Sequence, residues 1–253
     1  MGSGRSASSP AERPGTGTGK TAAVTGELQA TVAGRIPGAA ALGLLAPPSV
    51  PLVPAVDLAD PAWVTRAVRG GRTVERRVTA TVWWYSVSTV LLTPALAGLV
   101  TGVPLSARLS DLAVAFRPDG LPVAAVSSGA GGDLGAELRE TLTAVVPAVA
   151  AVGRMRERPL WAIATDSIAN QLLALGRALG NVPAATAHAA PLAAAIGAPL
   201  PVPRYVDVAG ARFTQRASCC LMVELPGGSL CTSCPHRLPA EREALLEQAA
   251  RWF

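Results

Sequence analysis

Two adjacent thiols, a gap of ten residues and a second pair two apart, Cys219-Cys220 and Cys231-Thr232-Ser233-Cys234, hold every cysteine of this 253-residue chain. Four soft thiolates are what closes a tetrahedral metal site or an iron-sulfur cluster. The N-terminus MGSGRSASSPAERPGTGTGK carries no apolar run of the secretory kind, so a reducing cytoplasm is expected and with it free thiols rather than disulfides. A thioredoxin-like redox pair would employ Cys231 and Cys234 and leave Cys219 and Cys220 without a role. Structural zinc stays open as an alternative. Zinc knuckles, however, pair two separated C-x-x-C units, and here one half is vicinal. Successive side chains of an extended backbone point to opposite faces, which suits two separated irons better than one ion.

The segment RASCCLMVELPGGSLCTSCPH resembles the C-terminal signature of the FhuF-like ferric siderophore reductases. The likeness rests on the C-C-x10-C-x2-C spacing, Arg216 before the vicinal pair, the Pro226-Gly227-Gly228 turn and Pro235 after the last cysteine. Upstream it is looser, confined to two apolar Trp-containing stretches, RRVTATVWWYSVSTVLLTPALAGLVTGVPL and RPLWAIATDSIANQLLALGRALG. The resemblance implies a 2Fe-2S cluster on Cys219, Cys220, Cys231 and Cys234. It also implies single-electron reduction of a ferric siderophore in the cytoplasm, fed by an electron-donor protein or reductase. Two rival readings use the same thiols, as a zinc-stabilised accessory protein without catalysis or as an iron-sulfur redox sensor.

Locally, Ser218 to Leu225 is a short apolar run, and Ser229 to Cys231 follows a Pro-Gly-Gly turn, a pattern that predicts a hairpin folding the two cysteine groups together. Backbone N–H groups around Gly227, Gly228, Thr232 and Ser233 are then expected to face cluster sulfurs. Chelate reach suggests Cys231 with Cys234 on one iron and Cys219 with Cys220 on the other. His236 is expected in a turn, since a Rieske centre would need two histidines in place of two cysteines.

The rest must hold and serve this site. Half the residues are apolar, enough for a sizeable core. The net charge of +5 comes almost wholly from arginine, with Lys20 the one lysine, and aromatic residues are too sparse to interleave with arginines as a nucleic-acid platform. Residues 1–24 are small and polar and read as a disordered tail. The phosphate-loop lookalike Gly15 to Thr21 within them lacks a glycine at Pro14 and a preceding strand. Residues 25–204 read as a mainly helical docking body, and 205–253 as the cluster region. No charge occurs from Val78 to Ala107, but Pro94, Pro104 and the hydroxyl residues Thr79, Thr81, Ser86, Ser88, Thr89, Thr93 and Thr101 predict a buried helix broken near Pro94 rather than a lipid-exposed span. Arg76, Arg77 and Arg108 bracket it, which leaves peripheral association with the inner face of a membrane open.

A hairpin is expected at 109–126 around Arg117-Pro118-Asp119-Gly120, and helices at 135–152, kinked at Pro147, and at 161–179. An extended connector is expected over 182–204, and a last helix from Pro239 with Leu245, Ala249 and Trp252 on one side. The fold class is therefore α+β, predominantly helical, with a C-terminal hairpin carrying the cluster and a short terminal helix. Arg154, Arg156 and Arg158 are candidates for docking an anionic chelate, Trp83, Trp84 and Trp161 are expected in the core, and His188 in a loop.

Overall fold

The computed structural model of the chain describes residue 1 and residues 19–68 and 74–253, with the backbone alone for 19–25. The expected tail lies for the most part outside these residues, and so does most of the phosphate-loop lookalike. The end of that stretch is already helical, in α1 (Gly19–Gly34).

The charge-free stretch forms α3 (Arg76–Thr101), the central element of the core. Pro94 does not break it, contrary to expectation. The hydroxyl residues turn back onto the helix's own carbonyls instead: Thr89 Oγ1 donates to Tyr85 O at 2.8 Å and Thr93 Oγ1 to Thr89 O at 2.7 Å. Such back-bonding lets polar side chains lie in a buried helix without unpaired donors. α3 is the one described helix long and apolar enough to cross a membrane, and most of that stretch is buried inside the protein.

Against α3 packs α5 (Arg158–Ala178). Trp84 Nε1 donates to Leu160 O at 2.9 Å, the Ser88 and Ser167 hydroxyls meet at 2.8 Å, and Gln171 Nε2 donates to Thr93. These partners ascend together along both sequences, so the two helices run in the same direction. α4 (Leu134–Gly153) also flanks α3, capped by Asp133, whose carboxylate accepts from Ala136 N at 3.0 Å, and it continues through Pro147. Trp83, Trp84 and Trp161 are buried as expected.

The predicted hairpin is present as β2 (Leu112–Phe116) and β3 (Pro122–Ser127), joined antiparallel through Arg117 to Leu121. A third strand that the sequence pattern did not reveal, β1 (Leu52–Pro54), pairs with β2 on its other side. A short helix α2 (Pro61–Ala67) follows β1, capped by Asp60, and brings Trp63 against Trp83 and Phe116. Buried Gln29 of α1 ties this sheet down: its amide donates to Ala125 O at 2.7 Å and its carbonyl accepts from Ser127 N at 2.6 Å.

The expected extended connector at 182–204 is instead mostly helical, with α6 (Val182–Ala187) and α7 (Ala189–Ile196). Asn181 caps α6, accepting from Ala184 N at 3.1 Å, and Pro183 lies in its first turn, where a missing N–H costs nothing. His188 is the junction between the two. The alanines that suggested a featureless connector are strong helix formers, and Ala189, Leu192, Ala193 and Ile196 supply an apolar face.

Beyond them, β4 (Tyr205–Val208) and β5 (Ala211–Thr214) form the C-terminal hairpin, closed by Ala209 and Gly210 with φ of 49° and 82°. Two positive φ angles in a two-residue loop match the twist of the flanking strands. The hairpin docks on α5 through Tyr205 Oη, which donates to Ala169 O at 3.1 Å, and Arg177 Nη2, which donates to Arg212 O at 2.9 Å. The chain then enters the cysteine segment and ends in α8 (Pro239–Ala250). The class is α+β and mainly helical, as expected. In α8 the half-buried Leu245 and Ala249 face inward beside buried Leu246, while Trp252, beyond the helix end, is exposed.

Candidate metal centre

The hairpin predicted for the cysteines themselves does not form. The C-terminal hairpin is β4 and β5, and the thiols follow it on an irregular loop from 215 to 238. Leu221 takes a left-handed φ of 60° directly after the vicinal pair, which ends any extended run, and Met222–Glu224 close into a 3-10 turn. The loop reverses at Gly227 and Gly228, where Gly228 N donates to Leu225 O at 2.8 Å. A Cβ on Gly228 would lie 2.0 Å from Met222 O, so only glycine fits. The Gly228 N–H is thus spent inside the turn and does not face a thiol. The Leu221 amide donates to Cys219 Sγ at 3.4 Å, and the Met222 N–H lowers Cys220.

The loop brings all four cysteines together as free thiols, in two pairs. Cys220 and Cys231 both lie against one guanidinium nitrogen, Arg216 Nη1, and Cys219 neighbours Cys234. These contacts link the two halves of the motif. The vicinal geometry turns Cys219 and Cys220 to different sides. Sulfurs bound to one tetrahedral metal at about 2.3 Å stand about 3.8 Å apart, close to thiols in mutual contact. Among the described residues no three His, Cys, Asp or Glu side chains converge as a site for a single ion.

Arg216 is the charge at the centre of this loop, with its side chain only 3% exposed. Its Nη1 donates to Cys231 Sγ at 3.3 Å and to Cys220 Sγ at 3.6 Å. Its Nε meets Asp166 Oδ2 at 3.4 Å, and its guanidinium carbon stands 4.9 Å from the centre of the Tyr85 ring. Asp166, 1% exposed, also receives Ala217 N at 2.7 Å, Ser218 N at 3.1 Å and Ser218 Oγ at 2.9 Å. One buried carboxylate on α5 thereby holds the start of the cysteine loop. Burial pushes the Asp166 carboxyl up, against the pull of the Ala217 N–H, Arg216 and Ser218. Burial alone would lower Arg216, but Tyr85, Cys220 and Asp166 around it raise it. The thiols split accordingly. Cys220 falls to about 5, because the Cys231 thiol donates to it and the Met222 N–H and Arg216 add to that, whereas Cys231 is raised by the same bond and by burial. Burial also raises Cys219.

The far side of the loop is fastened by α8. Arg237 donates to Leu230 O at 2.6 Å and Cys231 O at 2.9 Å and pairs with Glu241. Arg242 reaches Cys234 O at 3.5 Å. Arg77 of α3 pairs with Glu224 at 2.8 Å. Between β4, β5, the loop and α8 opens a cleft of about 460 Å3, with Gln215, Arg216, Ser233, Pro235 and Arg242 among its lining. His236 is exposed in a turn, as expected.

One atom tests whether these residues fit a cluster. Arg216 Nη2 is buried and has no hydrogen-bond partner among the described residues, although its sister Nη1 touches two thiols. A buried donor left unpaired costs about 1–3 kcal/mol. A sulfide-bearing group between the thiols offers such a donor an acceptor, and two thiol pairs fit two irons.

Residues 216–236 match the family model described as the FhuF 2Fe-2S C-terminal domain. The cysteine segment is of the FhuF type. No curated protein matches the chain. The FhuF match begins at Arg216 and ends at His236, so it takes in all four cysteines, the glycine turn and the arginine that touches two thiols. The cofactor of such a segment is a 2Fe-2S cluster.

Asp166 and Tyr85 are the site residues that sequence reasoning missed. A signal for Asp166 was there: it is the one charge between Arg158 and Arg177 on an otherwise apolar helix. Tyr85 gave none. Arg154, Arg156 and Arg158 are exposed at the turn from α4 to α5, with Arg154 in a left-handed cap of φ 50°. Met155 between them accepts from Thr81 Oγ1 at 3.5 Å, which sets this turn against α3 about one helical turn before Tyr85.

Proposed function

We propose that the protein is a ferric siderophore reductase, in which Cys219, Cys220, Cys231 and Cys234 hold the 2Fe-2S cluster. The observation that carries this reading is the gathering of the four FhuF-type thiols on one loop, two of them against a buried arginine. The cluster supplies one-electron transfer when bound. An electron-donor protein provides one electron, and one electron passes to the ferric chelate, giving Fe(II). Fe(II) has lower charge and prefers softer donors, so hard-oxygen chelation weakens and the siderophore releases its metal.

The chain's own residues do the rest. The Asp166 carboxylate and the Arg237 and Arg242 side chains fix the loop from two sides, which keeps the thiols in register. Leu221 and Met222 N–H groups and Arg216 stabilise thiolate charge. Arg154, Arg156 and Arg158, exposed and without ion-pair partners among the described residues, offer positive charge to an anionic chelate. The cleft lined by Ser233 and Pro235, which flank Cys234, offers a second docking surface.

Steady-state Fe(II) formation from an anionic and a neutral ferric chelate, measured across salt concentrations, tests both levels. The wild-type protein should turn over both chelates and Cys231→Ser neither. If the three arginines dock substrate, rising salt should slow the anionic chelate far more than the neutral one. Equal salt dependence removes the arginine patch and leaves the cleft as the docking surface. No turnover of any ferric chelate by cluster-loaded protein contradicts the reductase reading.

A further inference from the structure

Arg216 serves one thiol pair and not the other. Nη1 donates to Cys220 and Cys231, while Cys219 receives the uncharged Leu221 N–H. The guanidinium cannot drift between the two, because Asp166 Oδ2 holds Nε and the Tyr85 ring lies against its face. A full positive charge, almost completely buried, therefore stands beside one half of the site.

Resting on the 2Fe-2S reading above, we propose that Arg216 makes the two irons inequivalent, drawing the accepted electron to the iron shared by Cys220 and Cys231 and raising the potential at which it is accepted. Its unpartnered Nη2–H is left for an inorganic sulfide. Reduction adds one negative charge to an already anionic group. A buried cation favours that product over the oxidised form, and hydrogen bonds to sulfur act in the same direction. The electron comes from the donor protein, and the step needs no proton. Asp166 is a positioning residue, acting through Arg216.

The test uses holoprotein purified anaerobically. In reduced wild-type protein grown with 15N-arginine, pulsed electron-nuclear double resonance should detect a nitrogen coupling to the unpaired electron. In Arg216→Lys that coupling should vanish while cluster content stays. An EPR-monitored redox titration of Arg216→Gln should show the reduction equilibrium shifted at least tenfold toward the oxidised form, which is 59 mV for one electron. Arg216→Lys, which keeps the charge but not the fork, should shift less. A loaded and reducible wild type without nitrogen coupling, or an Arg216→Gln potential equal to wild type, overturns the assignment. If Arg216→Gln does not take up the cluster, the wild-type coupling and the Arg216→Lys titration decide. A wild type with no visible absorption and no EPR signal after reduction refutes the 2Fe-2S reading instead.

Discussion

At the scale of single residues, the buried pair of Arg216 and Asp166 is the feature whose removal should be felt most. Each is almost wholly shielded from water, and truncating one strands the other's charge. Such a loss costs about 3–5 kcal/mol. Asp166→Ala should therefore lower the melting temperature sharply, as differential scanning calorimetry would read. Ser218→Ala removes only one hydrogen bond to the same carboxylate, a loss of about 1 kcal/mol, and should keep its cluster. The cysteines are expected to behave differently from both. Because each thiol belongs to one pair, Cys220→Ser and Cys231→Ser should each lose most visible absorption while far-ultraviolet circular dichroism stays close to wild type. An unchanged visible spectrum in either would take that cysteine out of the ligand set.

At the scale of elements, the cysteine loop depends on a turn that tolerates one residue type. Gly228→Ala places a methyl against the Met222 carbonyl, and the loop can admit it only by opening. Iron and sulfide analysis of that variant should show a cluster content well below wild type, whereas Thr232→Ala, at an exposed position, should not. Much of this region was legible in the sequence. The spacing of the cysteines, the glycine turn and the terminal helix all point to a site where the structure has one. The secondary structure within it was not legible, because alternating apolar residues such as Leu221 and Val223 read as a strand while the vicinal thiols impose a left-handed residue between them and the turn. Across the body, helices α4 and α5 and the hairpin β2–β3 carry strong local signals. α6 and α7 did not, since prolines among alanines look like a connector until Asn181 is seen capping the first turn. Strand β1 is three residues long and exists only through its pairing with β2, which no local pattern announces.

At the scale of the whole molecule, the helical core and the cysteine loop are joined by few links, of which the one at Asp166 is buried. α5 presents Asp166, α3 presents Tyr85 and Arg77, and α8 closes the loop from outside. The metal-free chain should keep its helical body, because the core of α3, α4 and α5 contains none of the cysteines. Removing residues 1–18 should leave melting temperature and cluster content near those of the full chain, since that polar stretch has little apolar surface to bury. Extending the deletion through Gly34 removes Gln29 and Val32 from the core and should destabilise the sheet and α3 together.

The central claim is that this chain passes an electron to ferric iron rather than merely holding a metal. The direct measurement is anaerobic single-turnover mixing of the chemically reduced holoprotein with a ferric hydroxamate, following the cluster's visible absorption and a ferrozine Fe(II) signal together. The account predicts that cluster reoxidation and Fe(II) formation rise in step, one Fe(II) for each electron lost. A fully loaded, reduced cluster that stays reduced in the presence of every ferric chelate tried would contradict it.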